Sequence, residues 1–265
     1  MKTIALFLAL SLSWSTFSQG PVDGFFRGKD VIDIALSAGY EYGSQYIGAL
    51  GPFDYERNIV AIGLFAEYGI TDKFDIIANL PVINFQLQDG GIFLKYNTLS
   101  FKIKNRNITL FPAVGFSTPL SDYNTENSQA IGQKATQFHG KIVGQMTLPA
   151  GMYLQAQTGY NYALDPVPSA YTISTKLCKS QGDWYFDLWY EYQKGLGNIT
   201  YQGPIAVTSF RTLTVDTQKI GGVIYKTLKN GYGAFINGSR ILTGLDTYNS
   251  VSVFVGVVKK LNFNK

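Results

Sequence analysis

The sequence has almost none of the residues that build disulfides and transition-metal sites. It contains one cysteine, Cys178, and one histidine, His139, in 265 residues. A single cysteine excludes an internal disulfide and a cysteine-rich zinc site, and a single histidine excludes a multi-histidine metal centre. We therefore expect no metal site and no cofactor.

Charge is also scarce. Asp, Glu, Lys and Arg together make up 15% of the chain, whereas a typical soluble domain has about 25%. The net charge of +4 comes from 22 basic and 18 acidic residues, and this bias is too weak to indicate a nucleic-acid partner. Aromatic residues reach 15% and glycine is frequent, with 28 residues. This composition excludes a disordered chain and a coiled coil.

Long hydrophobic runs are confined to the N-terminus. A basic residue, Lys2, precedes an apolar stretch from Ile4 to Leu12, and small residues surround Ser18. This pattern predicts that residues 1–18 are a signal peptide cut before Gln19, which makes the mature chain an exported protein. The alternative for these residues is a membrane anchor, which needs a longer apolar stretch. No later run reaches the roughly 18 apolar residues of a membrane-spanning helix, which excludes a helical transporter.

Two-residue alternation of apolar and polar side chains dominates the rest of the chain. In residues 31–42 the even-numbered residues are apolar and most odd-numbered residues are polar or small, which is typical of a strand with one apolar face. About twelve segments repeat this pattern. Short turns alternate with longer connections at residues 43–55, 120–134 and 194–210, as in an up-and-down meander. The apolar parity changes within residues 92–103, which predicts a β-bulge.

The orientation of the two faces decides the fold class. The polar faces carry few charges, although the exterior of a soluble β protein normally carries many. Tyrosines lie near the ends of the apolar faces, where membrane barrels place their aromatic girdles. Twelve strands also enclose a cylinder roughly 24 Å wide, too wide for apolar side chains to fill. We therefore predict an all-β fold, a transmembrane antiparallel up-and-down β-barrel of about 12 strands (10 to 14 fit the pattern), over residues 29–265. A soluble β-barrel or sandwich is the alternative.

Both chain ends carry further signals. Residues 19–28 include Phe25 and Phe26, and this segment either folds into the lumen as a small plug or lies at the periplasmic rim. The last strand alternates apolar residues up to Phe263 and looks like the terminal strand that the barrel-assembly machinery recognises. We therefore expect this machinery and outer-membrane lipid as partners, and a monomer in the cell outer membrane.

One hairpin carries a family resemblance. The run from Gly63 to Asp75, followed by Asn79-Leu80-Pro81, resembles a hairpin of the outer-membrane family called "putative meta-pathway of phenol degradation". The resemblance covers roughly residues 55–123, although Leu120-Ser121-Asp122 replaces the glycine-containing turn of the family. It implies a Gram-negative outer-membrane barrel that passes small hydrophobic or aromatic molecules. The cleavage region before Gln19 is similar to those of Bacteroidetes-type exported proteins.

An enzyme is the first function to test. Membrane-barrel phospholipases carry a histidine and, two residues later on the same strand, a serine, whereas here His139 is followed by Gly140 and Lys141. A histidine base without a nearby nucleophile does not support a catalytic triad. We therefore predict no catalytic residue, and alternation places His139 in the lumen.

The predicted lumen-lining residues are charged or aromatic side chains of the polar faces. Charges of both signs occur in comparable numbers, so they either pair across the lumen and brace the wall or set solute preference. The aromatic side chains either stack on a flat ligand or fill space. The candidate substrate-contacting or lumen-lining residues are Lys73, Asp75, Lys95, His139, Lys141, Tyr185, Asp187, Trp189 and Glu191.

These features predict a passive channel or transporter for small solutes, including hydrophobic or aromatic molecules. The alternative is a structural or interaction barrel with a closed lumen, whose function resides in its outer loops. A barrel hydrolase is the third hypothesis, and the missing nucleophile argues against it.

Overall fold

The computed structural model describes residues 22–126, 130–203 and 209–263. The predicted signal peptide and residues 19–21 lie outside these ranges. One antiparallel sheet contains all the main strands, and the first strand pairs with the last, so the sheet closes into a barrel. In the described part of the chain, no helix is long and apolar enough to cross a membrane. The helical turns there are the 3-10 turns Phe210–Thr212 and Lys229–Gly231.

The barrel has twelve strands, and each one is hydrogen-bonded to its neighbours in sequence. The prediction of a closed antiparallel up-and-down barrel of about 12 strands is thereby confirmed. The strands are β1 (Val31–Gly48), β2 (Arg57–Thr71), β3 (Phe74–Ile83), β4 (Asp89–Tyr96, continued by Leu99–Ile103), β5 (Arg106–Pro119), β6 (Gln137–Leu148), β7 (Met152–Ala163), β8 (Ala170–Gln181), β9 (Trp184–Gly195), β10 (Asp216–Thr227), β11 (Tyr232–Leu245) and β12 (Thr247–Asn262). The short strands Gly51–Phe53 and Gln86–Leu87 extend β1 and β3 pairings.

The apolar face of each strand points outward. Leu36 on β1 is 51% exposed and its partner Val257 on β12 is 55% exposed, whereas the neighbouring Ser37 is 4% exposed. An outward belt of large apolar side chains on a closed sheet suits hydrocarbon, because closure leaves no strand edge with unpaired backbone groups. The polar and small side chains of the same strands therefore face an enclosed lumen.

The two ends of the barrel differ in their connections. At one end, which we call the turn end, adjacent strands are joined by tight turns such as Asp72–Lys73 and Pro149–Gly151, and β1 starts and β12 finishes there. At the other end, which we call the loop end, the connections include residues 120–136 and 196–215. Asp246 alone joins β11 to β12 at the loop end.

The predicted bulge in residues 92–103 coincides with a break in β4, where one extra residue lies opposite β5. Asn97 and Thr98 leave the sheet, and both halves of β4 pair with β5. The Thr98 hydroxyl donates to the carbonyl of Leu110 at 2.9 Å, which ties the break to the neighbouring strand. Because three residues between Lys95 and Leu99 lie opposite two on β5, Tyr96 and Leu99 both face outward and the apolar parity changes.

Candidate functional site

The segment Val22–Gly28, which we call the inner segment, runs inside the turn-end half of the barrel before β1 begins. Val22 is 1% exposed and belongs to an apolar cluster with Phe111 and Val143 of the wall. The ring of Phe26 meets that of Phe111 edge to face, with centroids 4.9 Å apart. Such aromatic contacts add to the free energy gained by apolar burial. The inner segment and the wall therefore fill the lumen together at this level.

Two glycines make room for the inner segment. A Cβ atom on Gly24 would lie 2.1 Å from Oε1 of Gln145, and the Gly24 amide donates to Oε1 of Gln155 at 2.9 Å. A Cβ atom on Gly69 of β2 would lie 1.9 Å from the carbonyl oxygen of Gly28. Glycine without a Cβ lets two backbones approach this closely, so wall and segment are shaped for each other.

Arg27 holds the inner segment to the wall through two carboxylates and contacts a third within the segment. Its Nη2 lies 2.6 Å from Oε2 of Glu67, and its Nε lies 2.8 Å from Oδ2 of Asp33. The same Nη2 lies 2.9 Å from Oδ2 of Asp23 within the segment. Several carboxylates around one guanidinium satisfy its fixed fork of donors.

Lys95 of β4 completes this arrangement, which we call the charge cluster. Its Nζ lies 2.6 Å from Oε1 of Glu67, 2.9 Å from Oδ1 of Asp23 and 3.6 Å from Oδ2 of Asp75. The backbone amide of Arg27 donates to Oδ2 of Asp75 at 3.0 Å. The side chains of Lys95, Glu67 and Asp75 are fully buried, so removal of Lys95 leaves the buried Asp75 carboxylate without its cationic partner.

The charges within the inner segment are stabilised by their partners. Burial by itself raises the pKa of Asp23, but the positive charges of Arg27 and Lys95 outweigh it and hold the pKa of Asp23 well below its usual range. Burial likewise opposes the charge of Arg27, and the negative charges of Asp23, Glu67 and Asp33 raise the pKa of Arg27 above its ordinary value. Asp23 and Arg27 are both ionised at neutral pH as a result.

Two cavities in the described part of the barrel are lined by wall residues of the lumen. The turn-end cavity has a volume of about 680 Å³, and Phe25, Tyr185 and Asp187 form part of its wall. The loop-end cavity has a volume of about 450 Å³, and its wall includes Phe93 and Phe254. Both cavities combine aromatic and charged side chains, and both are large enough for a small organic molecule.

Segments of two connections cross the loop end. The Gln133 side-chain amide donates to the carbonyls of Phe210 at 3.2 Å and of Leu213 at 3.0 Å. In return, Nε of Arg211 donates to the carbonyl of Gln133 at 3.1 Å. We call this contact the loop cover. Beside it lies a buried cluster that includes Tyr46, Leu213 and two further tyrosines, so the loop cover is anchored to the wall.

Four of the predicted lumen residues belong to the charge cluster or line the turn-end cavity. Asp75 and Lys95 belong to the charge cluster. Tyr185 and Asp187 line the turn-end cavity, where the Tyr185 hydroxyl donates to Oδ2 of Asp187 at 3.0 Å. Oδ1 of Asp187 accepts from the backbone amide of Val223 at 3.0 Å, so this carboxylate is tied to the wall.

The other predicted residues are dispersed. Trp189 is 3% exposed and packs so closely on Gly221 that a Cβ there would lie 2.2 Å from the indole. Glu191 faces Lys219 in the β9–β10 register, and Lys141 is half-buried on β6. Lys73 lies in the exposed β2–β3 turn and does not line the lumen, because strand alternation does not extend into a turn.

His139 has partners that sequence reasoning missed. Nε2 of His139 lies 2.9 Å from the hydroxyl of Ser117, and its Nδ1 lies 2.9 Å from Oδ1 of Asn161. The position two residues along the same strand holds Lys141, whereas Ser117 comes from the neighbouring strand β5. Ser117 approaches His139 because of the β5–β6 register, in which Gly115 faces His139. The alternation of apolar and polar residues does not predict that register.

Metal binding has no support in the described ranges. No group of three or more His, Cys, Asp or Glu side chains there has an arrangement that would hold a metal ion. The carboxylates that do converge, in the charge cluster, are occupied by Arg27 and Lys95.

Comparisons with known proteins identify the fold. No family model matches the sequence, and no curated protein matches it. The crystal structure of the COG4313 outer membrane channel from Pseudomonas putida F1 matches with a TM-score of 0.69 at 12% identity, covering 91% of this chain and 100% of that one. The NanC porin matches with a TM-score of 0.58 at 10% identity, covering 86% and 100%. The KdgM porin matches with a TM-score of 0.50 at 10% identity, covering 84% and 98%. The chain therefore has the barrel fold of these proteins.

Proposed function

We propose that this chain is an outer-membrane channel for small solutes, including hydrophobic and aromatic molecules. The fold is that of the channel and porins named above, and the outward apolar belt suits a bilayer. In barrels of this kind short turns face the periplasm and longer loops face outside, so we assign the turn end to the periplasm. Membership of the phenol-degradation family, suggested by the hairpin at residues 63–81, is part of this proposal.

The observation that carries the proposal is the pair of cavities within one closed barrel. Cavities of about 450 and 680 Å³ lie toward the loop end and the turn end of the lumen, and the inner segment borders the turn-end cavity with Asp23, Phe25 and Arg27. Aromatic side chains in both cavities, Phe93 in one and Tyr185 in the other, offer apolar surface to flat molecules. The mixed charges of the walls favour weak ion selectivity.

We further propose that the inner segment is a plug that limits this passage. It borders the turn-end cavity and is held to the wall by ion pairs of Arg27 with Glu67 at 2.6 Å and with Asp33 at 2.8 Å. Ion pairs of this kind restrict the motion of the inner segment more than a location at the periplasmic rim would.

The channel proposal is tested by planar-bilayer recording and liposome swelling with the folded, purified protein. Folding is verified first by the shift in gel migration on heating. We expect a small conductance, and faster swelling with a small aromatic alcohol than with a sugar of similar mass. A folded barrel that shows neither conductance nor swelling would reject the proposal.

The second candidate is a closed barrel that acts through its outer loops, and the loop cover favours it. Gln133→Ala removes the side-chain amide that bridges the two connections. If the protein is a channel, this variant raises conductance. If the barrel is closed, the variant lowers the melting temperature and leaves conductance at the background of a protein-free bilayer.

A further inference from the structure

Ser117, His139 and Asn161 form a hydrogen-bonded chain across three adjacent strands, β5, β6 and β7. Oδ1 of Asn161 only accepts, so the imidazole nitrogen 2.9 Å away, Nδ1, carries the proton. The other imidazole nitrogen, Nε2, is then unprotonated, and the Ser117 hydroxyl donates to it at 2.9 Å. This is the tautomer in which histidine acts as a base toward a serine.

The chain of hydrogen bonds opens on an unfilled space. Ser117 and His139 both line the loop-end cavity of about 450 Å³. The ring of Phe93 lies 5.0 Å from the imidazole, tilted by 34°, and restricts its orientation. Apolar side chains, among them Ile59 and Phe254, line the same cavity. A hydroxyl group activated by histidine thus faces a site for a small apolar molecule.

A further polar group is placed to stabilise developing charge. Gln137 faces Ser117 in the β5–β6 register and lines the same cavity. Its side-chain amide makes no hydrogen bond with the rest of the described chain. A carboxamide N–H beside a serine is the kind of donor that stabilises a tetrahedral oxyanion.

We propose that Ser117, His139 and Asn161 constitute a serine esterase site for small uncharged esters with an apolar acyl or aryl group. Ser117 is the nucleophile, His139 is the general base and Asn161 is a positioning residue. Gln137 donates to the oxyanion. This inference goes beyond the proposed channel function and needs only that small molecules reach the loop-end cavity.

The reaction proceeds in two steps. In the first, Oγ of Ser117 attacks the ester carbonyl while its proton passes to Nε2 of His139, and that proton then goes to the departing alcohol as the carbon–oxygen bond breaks. In the second, His139 removes a proton from water, the water oxygen attacks the acyl-serine, and the proton returns to Oγ of Ser117. One ester and one water give one acid and one alcohol.

The inference is tested with a small alkyl fluorophosphonate on the folded protein in detergent, with mass spectrometry to locate the label. We expect the label on Ser117, and a labelling rate reduced by at least roughly a hundredfold in His139→Gln, since a general base contributes about 10²-fold or more. Ser117→Ala should abolish the label. Ser239, a lumen serine whose hydroxyl lies 2.7 Å from that of Ser252, provides the control, because Ser239→Ala should label like the parent protein.

The role of Asn161 is tested by the pH dependence of labelling. Asn161→Asp places a carboxylate on Nδ1 of His139, which favours the imidazolium and moves the midpoint of the labelling profile to higher pH. Asn161→Leu should slow labelling at all pH values. If Asn161 were merely structural, the folded Asp variant would keep the midpoint of the parent protein, and this result would remove it from the proposal.

Two outcomes would overturn the inference as a whole. One is a folded parent protein that is not labelled on Ser117, and the other is a folded His139→Gln variant that labels at the parent rate. Conductance of the same preparation separates the two proposals. Labelling without conductance rejects the channel and keeps the esterase site, and conductance without labelling does the reverse.

Discussion

Arg27→Gln is the most direct perturbation of the plug. It removes the contacts of Arg27 with Glu67 at 2.6 Å and with Asp33 at 2.8 Å, and leaves the buried Glu67 with Lys95 as its remaining cation. Loss of one partner from a buried ion pair costs roughly 3–5 kcal/mol. Since about 1.4 kcal/mol is a factor of ten, the ratio of docked to undocked segment falls by roughly two to four powers of ten.

The assay is single-channel conductance combined with hydrogen exchange of residues 22–28. We expect Arg27→Gln to raise both the conductance and the exchange rate of these amides. Lys194→Gln is the matched control, because Lys194 loses an ion pair, at 2.6 Å from Asp216 near the loop end, and lines neither cavity. The reasoning is refuted if amide exchange rises in Arg27→Gln while conductance stays at the parent value, because the segment would then be undocked without having limited passage.

Two further predictions concern the two ends of the lumen. Burial raises the pKa of Asp246 to about 6, while its Oδ1 accepts from the Tyr201 amide at 2.8 Å. The stabilisation of the neutral carboxyl is therefore complete below the ordinary value of 3.8 and is lost as the pH rises through about 6. The free energy of opening this contact, measured by hydrogen exchange of residues 196–203, should fall between about pH 4 and about pH 7 in the parent protein and stay constant in Asp246→Asn. At the turn end, Gly69→Ala brings a Cβ to 1.9 Å from the Gly28 carbonyl oxygen and should increase conductance. Gly140→Ala is the control and should leave conductance unchanged, because a Cβ there meets nothing within 4 Å. Equal conductance of the two variants would contradict the close contact between Gly69 and the inner segment.

The wall of the barrel was predictable because each strand has one lipid face and one lumen face. A shift of one residue would move every apolar side chain inward, so the alternation fixes both the strands and their orientation. The same pattern located the parity change in residues 92–103, where one extra residue lies opposite β5 at Asn97 and Thr98. The pattern misplaced Lys73, which belongs to a turn.

The contents of the lumen were less predictable, because they depend on contacts between residues far apart in sequence. Asp23 and Arg27 carry no periodic pattern, and their partners Glu67 and Lys95 come from two different strands. His139 was assigned to the lumen, but Ser117 reaches it only through the β5–β6 register. Strand pairing between distant segments is set by the whole closed sheet and not by local propensity.

The plug and the loop cover lie on opposite sides of the loop-end cavity, so they act as two resistances in series. Opening one of them leaves the other to limit the current. Arg27→Gln and Gln133→Ala combined should therefore raise conductance by more than the sum of the two separate increases, a departure from additivity that marks coupled sites. Thermal stability of the double variant provides the control, because contacts at opposite ends of the barrel should lower the melting temperature additively. If the double variant conducts no better than the more conductive single variant, the two constrictions are not in series, and the path of the solute does not cross both ends of this cavity.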